Sequence, residues 1–520
     1  VKPLTGLDGL FLHLETEATP MHVAALHVFE PPPAASADFH AAVRRMMGER
    51  IDLAPMLRRK LAALPWQFAN PVWVEDEDFD LDLHVRSVLL PCPGTRAQLE
   101  DCIGELHARP LDRERPLWML YVIHGLEDGQ AAFYMKIHHA MLDGAAGVAL
   151  THALFDTEAE PAPRALPRPR RREAAPGVFA LMSAALTRDA DQYMKLARHL
   201  PDVVRVLTGL MGRTGGDAPQ GEGALRRNFA FGPKTPLSIT IDSERRIALV
   251  DFPLDAVKRI ASEHGTKLND VVLALCSGAL RRYFAHHGGI PDKPLIAAMP
   301  ISLREAGNTE FSTQVTMNLV SLATDIAHPL RRLHAIRDAA TASKALTRHA
   351  KSVLPTDAPS IGVPWLLGGL ASLYGLAGVA DRVPPIANLI ISNVPGPAQP
   401  LYACGARMTE YWPLSIVEHG LGVNITVMSY AGTLGFGIVS AHSAMPDPDA
   451  LADGLRESFA ELVLCDAPAA RPKRTRSHAA TQAAAEGDET RPRRSATPVA
   501  KARGDTPAAA VPRRSRSKAG

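Results

Sequence analysis

The run from residue 131 to residue 150 constrains this chain more than any other. Ala131-Ala132-Phe133-Tyr134-Met135-Lys136-Ile137 is short, apolar and partly β-branched, which predicts a buried strand. His138-His139-Ala140-Met141-Leu142-Asp143-Gly144 follows at once, and 144–150 reads as the opening of a helix packed on that strand. An imidazole placed where a strand leaves the core is held rigidly and still reaches a cleft. It suits a general base, because an unperturbed histidine titrates close to neutral pH. Two other readings stand beside this one. A histidine beside an apolar strand can simply be a satisfied structural residue. It can also be a metal ligand, but adjacent residues of an extended segment point to opposite faces, so His138 and His139 are poorly placed to share one ion. No HExxH or paired CxxC occurs elsewhere in the sequence.

A chain of 520 residues is too long for one ordinary core, which predicts two domains. Its hydrophobic fraction of 46% and charged fraction of 22% are those of a soluble globular protein. The five cysteines, Cys92, Cys102, Cys276, Cys404 and Cys465, are scattered and odd in number, as in proteins of a reducing compartment. The opening residues lack the basic and apolar regions of a signal peptide, and Val1 stands where a methionine is expected. The net charge of +2 hides a split: residues 471–520 hold thirteen basic and four acidic side chains, a net +9, and the rest carries −7. That Ala/Pro/Arg-rich stretch, counted here from 466, has almost no large apolar residue and reads as a disordered tail. Its clusters 471–476 and 513–518 would attract anionic lipid or nucleic acid; a tail that only solubilises is the alternative.

Along the chain, 1–157 forms a first block, with strands near 23–29, 117–124 and 131–137 and helices at 39–47 and 96–108. A Pro/Arg-rich linker opens a crossover segment, 158–228, with amphipathic helical spacing over 178–211. The second block, 229–465, alternates strands (246–252, 294–299, 311–322, 385–394, 422–429, 433–440) with helices (254–264, 269–287, 330–350, 449–464). Tyr430-Ala431-Gly432-Thr433 reads as a hairpin turn. The fold class is therefore α/β to α+β, two sheet-and-helix domains with a cleft between them. Residues 361–380 carry no formal charge and are long enough to span a membrane. Pro364 and five glycines within them fit a helix on a lipid surface, along a lipid tunnel or in the core better than a spanning one.

Further elements, in order along the chain, carry a family likeness. They are Pro3-Leu4-Thr5-Gly6-Leu7-Asp8-Gly9-Leu10-Phe11, Glu15-Thr16-Glu17-Ala18-Thr19-Pro20-Met21-His22-Val23, Pro116-Leu117-Trp118, Asn269-Asp270, Pro300-Ile301-Ser302-Leu303-Arg304 and Ser392-Asn393-Val394-Pro395-Gly396-Pro397. With the histidine motif they make the chain resemble the bacterial wax ester synthase/acyl-CoA:diacylglycerol acyltransferase family, within the CoA-dependent acyltransferase superfamily, over nearly all of 1–465. Thr235-Pro236-Leu237-Ser238 departs from the family pattern, with serine in place of an expected asparagine, and the basic tail is no part of it.

The resemblance implies two chloramphenicol-acetyltransferase-like domains. It implies transfer of a long-chain acyl group from acyl-CoA to diacylglycerol or a long-chain alcohol, without an acyl-enzyme, metal or cofactor. His139 then matches the catalytic base and His138 supports it. Asp143 acts as a structural brace paired with an arginine, for which Arg304 is the candidate. Gly144 allows close backbone approach. Asn269 serves the oxyanion or shapes the pocket, with a helix N-cap as the plainer alternative. Asp270 is structural. Trp118, Ser392 and Asn393 shape the cleft. Apolar substrates imply a cytoplasmic protein held peripherally on the inner face of the plasma membrane and on lipid inclusions. The competing functions are an acyltransferase of the same superfamily with a different acceptor, and a non-catalytic protein tethering lipid surfaces or nucleoid.

Overall fold

In the computed structural model the described residues are 2–4, 6–31, 39–62, 71–141, 150, 151, 153–161, 231–302, 315–351, 378 and 380–466. All belong to one compact unit, Val1–Ala467. The first half opens with a short strand β1 (Lys2–Pro3), helix α1 (Gly6–Leu14), strand β2 (His22–Glu30) and helix α2 (Phe39–Arg50). Strands β3 (Arg59–Ala62), β4 (Val72–Glu75) and β5 (Val85–Leu89) follow, then helix α3 (Arg96–Ala108) and strands β6 (Trp118–His124) and β7 (Ala131–His138). α3 starts where a capping box satisfies its free N–H groups: Gln98 N–H donates to Thr95 Oγ1 (3.3 Å), and Gln98 Oε1 accepts from Thr95 N–H (2.8 Å).

The second half contains β8 (Arg245–Pro253), α4 (Leu254–Glu263), α5 (Leu268–His286), β9 (Ile296–Ser302), β10 (Val315–Ser321) and α6 (Pro329–Lys351). It continues with β11 (Leu389–Val394), β12 (Tyr402–Ala403), β13 (Ala406–Leu414), β14 (Val423–Tyr430), β15 (Thr433–Ala441) and α7 (Pro448–Asp466). The β14–β15 turn has Ala431 and Gly432 at positive φ (43° and 91°), the primed geometry that keeps a hairpin's twist.

Two six-stranded sheets and a small sheet β1–β4–β3 result. The second large sheet has the order β10–β9–β11–β14–β15–β8 and packs its helices α4, α5, α6 and α7 over one apolar core. The first has the order β12–β13–β2–β7–β6–β5. Its two outermost strands on one side come from the C-terminal half, so the sequence reading, which assigned all of 229–465 to the second block, is corrected here. β13 pairs antiparallel with β2 from Arg407↔Glu30 to Leu414↔Ala24. The predicted helix at 144–150 apart from Leu150, the 178–211 segment, the 361–380 run apart from Gly378 and Ala380, and the basic tail from 467 onward lie outside the described residues. Among the described residues no helix is long and apolar enough to cross a membrane.

The first sheet lies directly on the second. Leu26, Tyr134, Trp412 and Leu414 share a buried cluster with Ile247, Leu249 and Val439. Polar contacts register the halves: Leu249 N–H donates to the buried Glu100 (3.0 Å), and the Trp412 indole N–H donates to Asp251 (3.0 Å). β13 crosses β15 so closely that only glycine fits beneath it. A methyl added at Gly435 would lie 2.6 Å from the Tyr411 carbonyl oxygen, and one at Gly437 would run into that of Pro413. Gly437→Ala is therefore expected to destabilise the protein by at least about 1–3 kcal/mol through forced separation of the strands. Gly48→Ala, on the exposed face of α2 with only an ordinary 3.6 Å contact, should stabilise by up to about 1 kcal/mol. Denaturant unfolding of both variants checks the contrast; equal midpoints would refute the close-approach reading.

Candidate active site

β7 is hydrogen-bonded on both edges, to β2 and to β6, and every one of its residues is buried. It ends at His138, directly opposite His22 of β2. The chain then tightens into a single turn, His139–Met141. His138 N–H donates to Leu117 O (2.9 Å) and His139 N–H to Met21 O (2.9 Å), so both backbones are pinned to neighbouring segments. Ala140 N–H donates to His138 Nδ1 (3.1 Å). That bond makes Nδ1 an acceptor, so a neutral His138 carries its proton on Nε2.

The lid over this turn is α1 and the loop after it. The Phe11 ring stacks on the His139 ring, with centroids 3.9 Å apart and planes 17° from parallel. Glu15, almost fully enclosed, places Oε1 3.5 Å from His138 Nε2 and 3.0 Å from the Met21 N–H that donates to it. Its Oε2 accepts from Arg113 Nε (2.9 Å) and Nη2 (2.7 Å), and Arg113 also donates to Leu12 O. Burial works to raise the Glu15 pKa, but His138, Arg113 and the Met21 N–H outweigh it and bring the carboxyl down to about 2. It is a fixed negative charge at any working pH.

His139 is half-buried with Nδ1 sealed from solvent. Burial lowers its pKa to about 4; its own carbonyl opposes this and His138 adds to it. The ring is thus neutral at pH 7 and able to take a proton. Behind the pair lies a polar core. His22 faces the His107 carbonyl (2.9 Å), His107 Nδ1 meets Tyr134 Oη (2.7 Å), and Lys136 Nζ donates to Leu106 O and Arg109 O. Burial pushes Lys136 down to about 7, and Arg109 contributes in the same direction.

The other residues singled out in the sequence fall into three groups. Asp143, Gly144 and Arg304 lie outside the described residues. Asn269 and Asn393 meet: Asn393 Nδ2 donates to Asn269 Oδ1 at 3.4 Å. Asn269 is not the N-cap of α5, a position taken by Lys267, whose N–H donates to Asp270 Oδ2 (2.9 Å). Asp270 therefore closes the helix start. Ser392 is half-buried beside Asn393 at the end of β11. Trp118 requires a correction. It does not face a cleft but is fully buried in the first half's core, stacked on His84 (4.7 Å) and donating its indole N–H to Leu57 O (2.8 Å). Phe11, Glu15 and Arg113 were given no role from sequence. The signal available was the position of Glu15 just after α1, but only the fold brings it to His138. Among the described residues no group of three or more His, Cys, Asp or Glu side chains could hold a metal ion.

Solved structures place this architecture. The first condensation domain of the calcium-dependent antibiotic synthetase, in complex with a substrate analogue, superposes with a TM-score of 0.51 at 14% identity, covering 88% of this chain and 97% of that one. A wax ester synthase/diacylglycerol acyltransferase from Marinobacter aquaeolei superposes with a TM-score of 0.63 at 27% identity, over 89% and 99% of the two chains. The two-sheet fold is thus that of condensation domains and related acyltransferases. Sequence comparison narrows the class. Residues 4–272 match the wax ester synthase/diacylglycerol acyltransferase catalytic domain, and 312–463 match the C-terminal domain of the same family. A candidate diacylglycerol O-acyltransferase of Mycobacterium tuberculosis is 36% identical over 88% of this chain and 99% of its own length. An O-acyltransferase of Acinetobacter baylyi is 34% identical over 88% and 96%. The chain belongs to the wax ester synthase/diacylglycerol acyltransferase family.

Proposed function

We propose that this protein esterifies a lipid alcohol, diacylglycerol or a long-chain alcohol, with the acyl group of a long-chain acyl-CoA, His139 acting as general base. The observation that carries this reading is a neutral imidazole stacked on Phe11, carried by a residue just past the end of β7 whose backbone N–H is pinned to the Met21 carbonyl. An alcohol is a weak nucleophile at pH 7, so His139 takes its proton as the oxygen attacks the thioester carbonyl. The tetrahedral intermediate collapses with cleavage of the C–S bond, and the imidazolium returns the proton to the departing CoA thiolate. No activated serine or cysteine is needed. The half-buried Asn269–Asn393 pair is the polar group assigned to the oxyanion or the pocket. Asp143 with Arg304 braces the histidine loop, and Gly144 gives it room. Acyl-CoA is a substrate, and no cofactor enters. The protein works peripherally at the inner membrane face and on lipid inclusions, with the basic tail available for anionic surfaces.

Purified protein given palmitoyl-CoA with hexadecanol and, in parallel, diacylglycerol is expected to form wax ester, triacylglycerol or both, resolved by chromatography. Release of CoA with neither ester formed would overturn the proposed acceptor class. Turnover only with an acyl carrier protein would move the reading to another branch of the superfamily.

A further inference from the structure

We infer that Glu15 is a positioning residue for acyl transfer, acting through His138 and Met21 to set the catalytic imidazole of His139. The geometry is a closed circuit. Glu15 Oε1 faces the Nε2 edge of His138 (3.5 Å), the edge that carries the proton because Nδ1 is committed to Ala140 N–H. The same oxygen accepts from Met21 N–H, and the Met21 carbonyl accepts from His139 N–H. One carboxylate therefore places its charge against the protonated edge of the first histidine and, through the two backbone groups of a single residue, holds the turn that bears the second. Arg113 holds the other carboxylate oxygen with two donors, so the group cannot swing away. Arg113 and the end of α1 are tied in turn by Leu12 O. Such an outer partner adds little to ground-state binding. It lowers the cost of presenting a base in one orientation, and so acts on kcat.

This rests on the reading of His139 as the base, and its test separates the two. The experiment is a double-mutant cycle on the full-length protein, with palmitoyl-CoA and hexadecanol as substrates. Glu15→Gln keeps the size of the side chain and an acceptor for Met21, and removes the charge. It is expected to lower kcat about 10- to 100-fold while KM for palmitoyl-CoA changes by less than about 3-fold. In a His138→Asn background, where the amide oxygen can replace Nδ1 as acceptor for Ala140, the same change should cost less than about 2-fold. Equal losses in both backgrounds would overturn the inference, because a role confined to anchoring α1 through Arg113 does not depend on His138. Wild-type kcat in folded Glu15→Gln would overturn it too. Should Glu15→Gln fail to fold, Glu15→Asp, which keeps the charge but withdraws it by one methylene, takes its place in the same cycle with the same two criteria. Esterification retained by His139→Ala would instead remove the base reading itself.

Discussion

Replacing His139 by alanine is expected to lower acyl transfer by about 10²- to 10⁴-fold, the usual contribution of a positioned general base. The loss should fall on kcat and kcat/KM together, because the proton is taken only on the way to the tetrahedral intermediate. Wild-type turnover in this variant would remove the mechanism. The same residue predicts an unusual pH profile. Its buried ring titrates near 4 rather than near the ordinary histidine value of 6.5. The base is competent when neutral, so activity should persist as pH falls through 6 and be lost only as pH approaches 4. Stability moves earlier. The unfolded chain protonates this histidine near 6.5 and the folded one near 4, so its contribution is fully present above about 6.5 and declines as pH drops below that. His22, His27 and His107, all buried with lowered pKa values, act in the same direction. Initial rates from brief acid pulses, read beside circular dichroism, separate loss of the base from loss of the fold. An acid limb near 6.5 in folded protein would contradict the sealed imidazole.

Trp118→Ala should be the most destabilising single substitution of those considered, about 3–5 kcal/mol for the deleted indole. Loss of its N–H leaves the Leu57 carbonyl without that donor, and the ring it stacks on, His84, loses its packing surface. Trp118→Phe keeps most of the packing and loses the hydrogen bond, and is expected to cost about 1–3 kcal/mol. In both variants the fraction that stays folded should turn over with near wild-type KM, measured beside denaturant titrations. A raised KM with unchanged stability would return Trp118 to the cleft, where the sequence reading places it.

The contrast between Trp118 and His139 shows how far residues alone carry the structure. The strand before the histidine pair, the helix at 96–108 and the 433–441 hairpin arm are legible because period, turn chemistry and capping all act within a few residues. Trp118 belongs to a recognisable element, yet its surroundings are set by β3, β4 and the loop to β5, none of which carries a strong periodic signal. β13 was missed for a local reason: its pairing with β2 slips between Met408 and Glu410, and that irregularity breaks the two-residue alternation a strand shows in sequence. Glu15 is beyond sequence reasoning of any local kind. Its meaning depends on Arg113, Met21 and His138 arriving from three other segments.

The sheet that carries the histidine pair is completed by a strand made late in synthesis. On the ribosome, residues 1–141 emerge with β2 still lacking the neighbour that 406–414 will supply. Its exposed edge must wait through the translation of more than half the chain before that partner arrives. Completion of the sheet around His138 and His139 therefore waits until the second half exists. A truncated message would yield an unfinished sheet with an open edge rather than a half-sized enzyme.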